Sequence, residues 1–227
     1  MEFVPYLTAA LAVVFTAQLF AHLRRRPGAR HLLWWMIGVA VFGLAVLTEA
    51  LVHHLGWSPW LFRVWYVSGA LLGGALLAQG TVYLLLRRRT ADRLAITLTV
   101  YALVAAALVF LTPLAPDPAN PDALTGRVMV WSWVRALTPA LNLYAVVFLV
   151  GGALLSAIRY WRRRHATGRF ALGSALIAVG AILPAFRGIV ARVGVADTVY
   201  LTEFVGLALI YAGYRLTTSR TPAATAP

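Results

Sequence analysis

Five charged residues sit within, or at the mouth of, long apolar stretches of this chain: Glu49, Arg63, Arg135, Arg187 and Glu203. A charge placed at the centre of a membrane span costs about 2.5–3.5 kcal/mol on insertion scales, and less near the interface. Such groups therefore pair with each other or mark a binding site. Glu49 has His53 four residues on, which puts both on one helix face. Arg135 is followed along one face by Thr138 and Asn142, and Arg187 shares a stripe with Pro184, Gly180 and Gly173. Glu203 shares its stripe with Tyr200, Gly206, Ile210 and Gly213. Counted from the helix ends at about 1.5 Å per residue, all five charges fall at one depth. Two carboxylates and three guanidiniums in one layer suit a polar or anionic ligand. The same residues also fit Glu–Arg pairs that clamp helices together and bind nothing, and buried ionic networks are often of that kind. Arg63 and Arg192, the shallower cations, also suit lipid headgroups. The expected ligand-binding set is Glu49, Arg187, Glu203, Arg135 and Arg63, with Arg187 between the carboxylates. Pro184 removes a backbone hydrogen bond and is expected to kink its helix and open a cavity at that level. In the opposite half of the third span Gln79 stands alone as a polar group.

Other chemistries find little support. The chain has no cysteine, which excludes disulfides and thiol chemistry. His53 and His54 are adjacent, so they point about 100° apart on a helix and cannot chelate one ion together. His22, His31 and His165 belong to the other side, and no metal or cofactor is indicated. Ser68, Ser156 and Ser174 lie in spans without a histidine at their depth, so no catalytic residues are assigned and an enzyme is not expected. All twenty basic residues are arginine. Without a lysine, a covalent retinal Schiff base of the rhodopsin kind is excluded.

The elements that must position these groups are membrane helices. The chain has 227 residues, of which 61% are hydrophobic and 12% charged; soluble domains carry roughly 25% charged residues. The stretch Phe62 to Arg89 is apolar for about twenty residues, enough to span a bilayer. Gly69 and Gly73, and Ala70, Gly74 and Ala78, recur every four residues, which lets backbones approach closely. It reads as the central packing helix. Further spans are expected at Val4 to Leu23, His31 to His53, Leu94 to Leu111, Val130 to Ile158, Phe170 to Val190 and Val199 to Tyr214, with the third at Trp60 to Leu86. A GWSP turn joins the second and third, and the proline-rich Thr112 to Arg127 is a loop. Tryptophans and tyrosines at the span ends form an aromatic belt.

The formal net charge of +13 would suit nucleic acid, but the arginines end the apolar runs instead. Fifteen of the twenty fall in alternate loops and the C-terminal end, the positive-inside pattern. No nucleic acid is expected; the partner is the lipid bilayer. No basic residue precedes the first apolar run and four arginines follow it, so it is an uncleaved span. The expectation is an all-α, seven-transmembrane helix bundle over 1–216, N-terminus outside and C-terminus cytoplasmic. A disordered tail follows over 217–227. The first and last three helices show no duplication, which speaks against an inverted-repeat transporter.

Two stretches resemble known families. RRRPGARHLLWWMIGVAVFGLAVLTEAL resembles the first loop and second span of the seven-helix membrane modules that precede bacterial sensor kinases. RVWYVSGALLGGALLAQGTVYLLL resembles the third span of bacterial polytopic membrane proteins, through Tyr66-x-x-Gly69-Ala70 and Gly80-Thr81-x-Tyr83-Leu84-Leu85. The resemblance implies a sensory, receptor-like bundle in the inner membrane and carries over no site residues. With no output domain, a sensor of this kind would act through a signalling partner protein or as a homo-oligomer. The expected function is therefore a receptor-like or accessory protein binding a small ligand or partner subunit in the outer half. The alternative is a carrier or channel for a small solute or proton using Glu49 and Glu203.

Overall fold

The computed structural model describes residues 3–115, 124–162, 168–183 and 196–218. Among these the chain is all-helical, without strands. Seven helices follow in order: α1 (Val4–Arg25), α2 (Arg30–Leu55), α3 (Pro59–Leu85), α4 (Arg88–Leu111), α5 (Ser132–Trp161), α6 (Gly168–Ile182) and α7 (Ala196–Thr218). The first five are long and apolar enough to cross a membrane; α6 is apolar but shorter. Large apolar side chains on their outer faces, such as Val13, Ile96, Leu103 and Leu143, are exposed. A surface of this kind is suited to hydrocarbon.

The helix boundaries follow from local chemistry. α2 stops at Gly56, whose φ of +82° is a left-handed conformation that glycine adopts without a Cβ penalty. The side chain of Ser58 then accepts the Leu61 N–H at 3.2 Å, and Pro59 opens the next helix where no N–H is missed. The α3–α4 turn is tighter than the expected seven-residue basic loop. Only Leu86 and Arg87 are extended, and Arg88 already begins α4. Long arginine stems can lie along the helix while their heads reach water, so charge does not end the helix there.

Two helices are not uniform. α3 is α-helical to Trp65, π-helical over Tyr66–Leu71, and α-helical again from Ala75. Within it the Leu72 N–H bonds the Val67 carbonyl, five residues back, at 3.0 Å. α5 opens as a 3-10 helix (Ser132–Leu137), continues as α from Thr138, passes through a π turn (Val146–Val150) and resumes at Gly151.

The helices close a ring in the order α1, α2, α3, α5, α6, α7 and back to α1, with α4 outside it against α3 and the start of α5. Phe15, Leu19, Val39, Leu77, Leu149 and Leu207 fill the ring. A second cluster of Phe62, Trp65, Tyr66, Val109, Met129 and Val134 closes the α3–α4–α5 end. Glycines set the closest approaches. A Cβ on Gly69 would lie 3.1 Å from Ala45 of α2, and one on Gly74 would lie 2.8 Å from Ala145 of α5. Gly73 differs from its neighbours: a Cβ there would strike the Gly69 carbonyl of its own helix at 2.7 Å. The α6–α7 pair touches backbone to backbone, with Gly180 against Gly206 and Gly173 against Gly213.

Candidate functional site

The bundle has two ends. One carries the arginines of the α1–α2 and α3–α4 turns; the other carries the α2–α3 turn and the segments 112–115 and 124–131. Glu49 and Glu203 both lie toward this second end and both are buried, 8% and 3% exposed. Glu49 follows Ala45 on its helix by one turn, and Ala45 is the point where Gly69 of α3 approaches. Glu203 precedes Gly206 by three residues, on the face of α7 that meets α6. The glycine stripes read from α6 and α7 thus face each other and bring their backbones together. His53, one turn beyond Glu49, is exposed, and so is His54, whose ring stacks on Tyr6 at 5.6 Å.

The arginines part company from the carboxylates. Arg63 is half-buried and donates through Nη2 to the Thr112 carbonyl at 3.1 Å. The Thr112 hydroxyl accepts the Trp131 N–H at 3.2 Å. Leu114 and Met129 form a short antiparallel bridge, so Arg63 holds the base of the loop over the α3–α4 end. Arg135, also half-buried, donates through Nε to the Ser132 carbonyl of its own 3-10 turn at 3.3 Å, and its stem covers Gly126. The 3-10 winding also breaks the expected face below it. Thr138 is buried with its hydroxyl 2.9 Å from that of Tyr66, whereas Asn142 is exposed. Arg63 of α3 and Arg135 of α5 are therefore each bonded to a backbone carbonyl at this end. Arg187, Arg192 and Pro184 lie outside the described residues, so the guanidinium expected between the carboxylates does too.

At the arginine-rich end Gln79, expected as the lone polar group in that half of the third span, is joined by polar groups of other helices. Gln79 is fully buried; its amide donates to the Ala91 carbonyl of α4 at 3.0 Å and its oxygen accepts the Tyr144 hydroxyl of α5. Nearby, Gln18 of α1 donates to the Tyr211 hydroxyl of α7 at 2.6 Å, and Arg215 reaches the same oxygen at 3.2 Å. His22 Nδ1 lies 2.8 Å from the Tyr214 hydroxyl. Trp35 packs edge-on against Tyr214 and lies against Gly80. On the outside of α3, Asp92 accepts from Tyr83 at 2.7 Å and from Arg30, joining α2, α3 and α4. The sequence does carry a signal for the α1–α7 set. Gln18 and His22 are one turn apart on α1, and Tyr211 and Tyr214 are one turn apart on α7.

No family model, curated protein or solved structure matches the chain. Its chemistry is therefore read from its own geometry. Along each helix the two polar layers are interrupted by apolar residues of the ring core. Leu207 lies between Glu203 and Tyr211, Val39 between Glu49 and Arg30, and Phe15 precedes Gln18. The carboxylate layer can accept hydrogen bonds and charge. The opposite layer offers hydroxyl, amide and imidazole hydrogen-bonding groups. No cluster of three or more metal-ligating side chains occurs among the described residues.

Proposed function

We propose that the chain is a seven-span, receptor-like or accessory protein of the bacterial inner membrane, N-terminus outside and C-terminus cytoplasmic. It binds a small polar ligand or a partner subunit at Glu49 and Glu203, with Arg187 as the balancing cation. The observation that supports this most is the pair of buried carboxylates on α2 and α7, held apart from the opposite polar layer by Phe15, Val39, Leu77, Leu149 and Leu207. A filled core of this kind favours a site entered from one side over a conduit. On that side Arg63 holds the backbone at the base of the loop and Arg135 holds its own 3-10 turn. The resemblance to sensor-kinase membrane modules points the same way, and a signalling partner protein or a second copy would carry the output.

The reading is tested by purifying the protein in mild detergent and identifying co-purifying small molecules by mass spectrometry, in parallel with Glu49→Gln and Glu203→Gln. The expected result is a bound molecule in the wild type that is lost in both variants, with melting nearly unchanged. A molecule retained by both variants, or variants that melt far lower with nothing bound in the wild type, rejects the site in favour of a structural clamp. Topology is checked with reporters: one fused after Arg220 should be active only in the cytoplasm, and one between Pro116 and Pro121 only outside.

A proton or solute carrier is the second reading, favoured by the Gln18–Tyr211 and His22–Tyr214 pairs, which put exchangeable protons beyond the core. Proton uptake into vesicles that is abolished by Glu203→Gln would establish it over the first.

A further inference from the structure

The α1–α2 hairpin carries a second feature, independent of the carboxylates. A groove of about 330 Å³ runs between the two helices at the arginine-rich end. Phe20, Leu23, Pro27 and Leu33 form its apolar floor, and Arg24 and Arg30 stand at its rim. The spacing produces this arrangement. Phe20 and Arg24 are four apart on α1, and Arg30 and Leu33 are three apart on α2, so each helix runs from apolar to cationic toward the same end. The Arg24 guanidinium lies 6.0 Å from the Phe20 ring centroid, over the groove floor. Phe20 and Leu33 remain 50% and 39% exposed.

Cations outnumber carboxylates at the rim. Arg30 gives one nitrogen to Asp92, which Tyr83 also holds, so this cation is pinned at the rim. Among the described residues no carboxylate lies on Arg24. Arg25 and Arg26 follow it directly, exposed. Because α1 ends at Arg25 and α2 begins at Arg30, the rim stands at the ends of two helices long and apolar enough to cross a membrane. An occupant must therefore be apolar along the floor and anionic at the rim.

We propose that this groove is a binding site for one anionic phospholipid, with an acyl chain along Phe20 and Leu33 and the phosphate at Arg24 and Arg30. Basic pockets between membrane helices are suited to such headgroups. The lipid would fasten the hairpin from outside the ring, and its binding does not depend on what occupies the carboxylate layer.

The test is native mass spectrometry of the purified full chain titrated with dioleoyl phosphatidylglycerol and dioleoyl phosphatidylcholine, which share acyl chains. The wild type is expected to retain one phosphatidylglycerol in clear preference. Arg24→Gln should weaken that binding about fivefold, the factor one arginine commands near an anionic surface, and Arg24→Lys should restore most of it. Leu33→Trp, which fills the floor and leaves every charge in place, should also expel the lipid. Arg89→Gln at the start of α4 should change nothing. Equal retention of both lipids overturns the proposal. So does an equal loss in Arg89→Gln, which would mean general surface charge. Displacement of the lipid by inorganic phosphate or soluble glycerophosphoglycerol at matching concentration would mean a free-phosphate site.

Discussion

The two ends of the bundle are joined by different kinds of bond. At the arginine-rich end, helices are tied mostly side chain to side chain: Gln18 to Tyr211, His22 to Tyr214, Tyr144 to Gln79, and Tyr83 and Arg30 to Asp92, with Gln79 on the Ala91 carbonyl and Arg169 on the Leu216 carbonyl as exceptions. At the other end, side chains mostly hold backbone: Arg63 on the Thr112 carbonyl, Tyr101 on the Leu137 carbonyl at 2.9 Å, and Arg135 on the Ser132 carbonyl. Tyr66 with Thr138 is the exception there. A bond between two side chains specifies which helices meet, since either partner can be lost by substitution. A bond to a carbonyl fixes the path of the backbone it holds and leaves the identity of the residue there free. The first end thus relies more on side-chain identity and the second more on the path of the backbone.

The largest expected effect breaks this comparison at its packed side. Gly80 lies against the Trp35 ring and the His31 carbonyl, so Gly80→Leu drives a side chain into a filled interface. Overpacking of this kind costs about 1–3 kcal/mol or more, and the melting temperature in detergent should fall well below that of Leu84→Ala, whose side chain is exposed. Equal melting of the two would mean that the α2–α3 contact contributes little. A middle effect is expected from a double-mutant cycle on His22→Ala and Tyr214→Phe. Interhelical hydrogen bonds in membranes average about 0.6 kcal/mol, so the pair should be non-additive by about that much, and strict additivity would show that the bond is not made. The smallest effect belongs to Arg63→Gln. It should leave melting nearly unchanged but raise protease cleavage between Ala115 and Leu124, because it frees the Thr112 carbonyl and not a helix. A large drop in melting would place Arg63 among the helix-ordering groups.

Much of this was legible in the residues. Apolar runs marked the helices, and Gly56-Trp57-Ser58-Pro59 marked a turn by the chemistry of each position. Glu49 and Glu203 announced themselves because a carboxylate inside an apolar run has to be buried. The use of Arg63 and Arg135 was not legible. Their sequence positions matched those of the carboxylates, but their acceptors are the Thr112 carbonyl just past α4 and the Ser132 carbonyl of Arg135's own 3-10 turn, which no local pattern specifies. Gln18 and His22 went unnoticed for a related reason. They adjoin a run of arginines and read as interfacial, while their partners Tyr211 and Tyr214 lie 193 and 192 residues away. The π and 3-10 segments were hidden as well, because winding at Tyr66–Leu71 and Ser132–Leu137 answers to packing across helices and not to propensity.

The π turn at Val146–Val150 has a consequence for chain length. A turn closed from i to i+5 accommodates one residue more than a regular turn closed from i to i+4. Deleting Val147 would let the segment relax to ordinary winding while Gly151–Arg162 kept its face toward α6. Deleting a residue from the regular middle of α4 would instead swing everything after it by about 100°. That bulge is thus a place where α5 can shed a residue and keep its alignment, a slack link in an otherwise fixed-length rod.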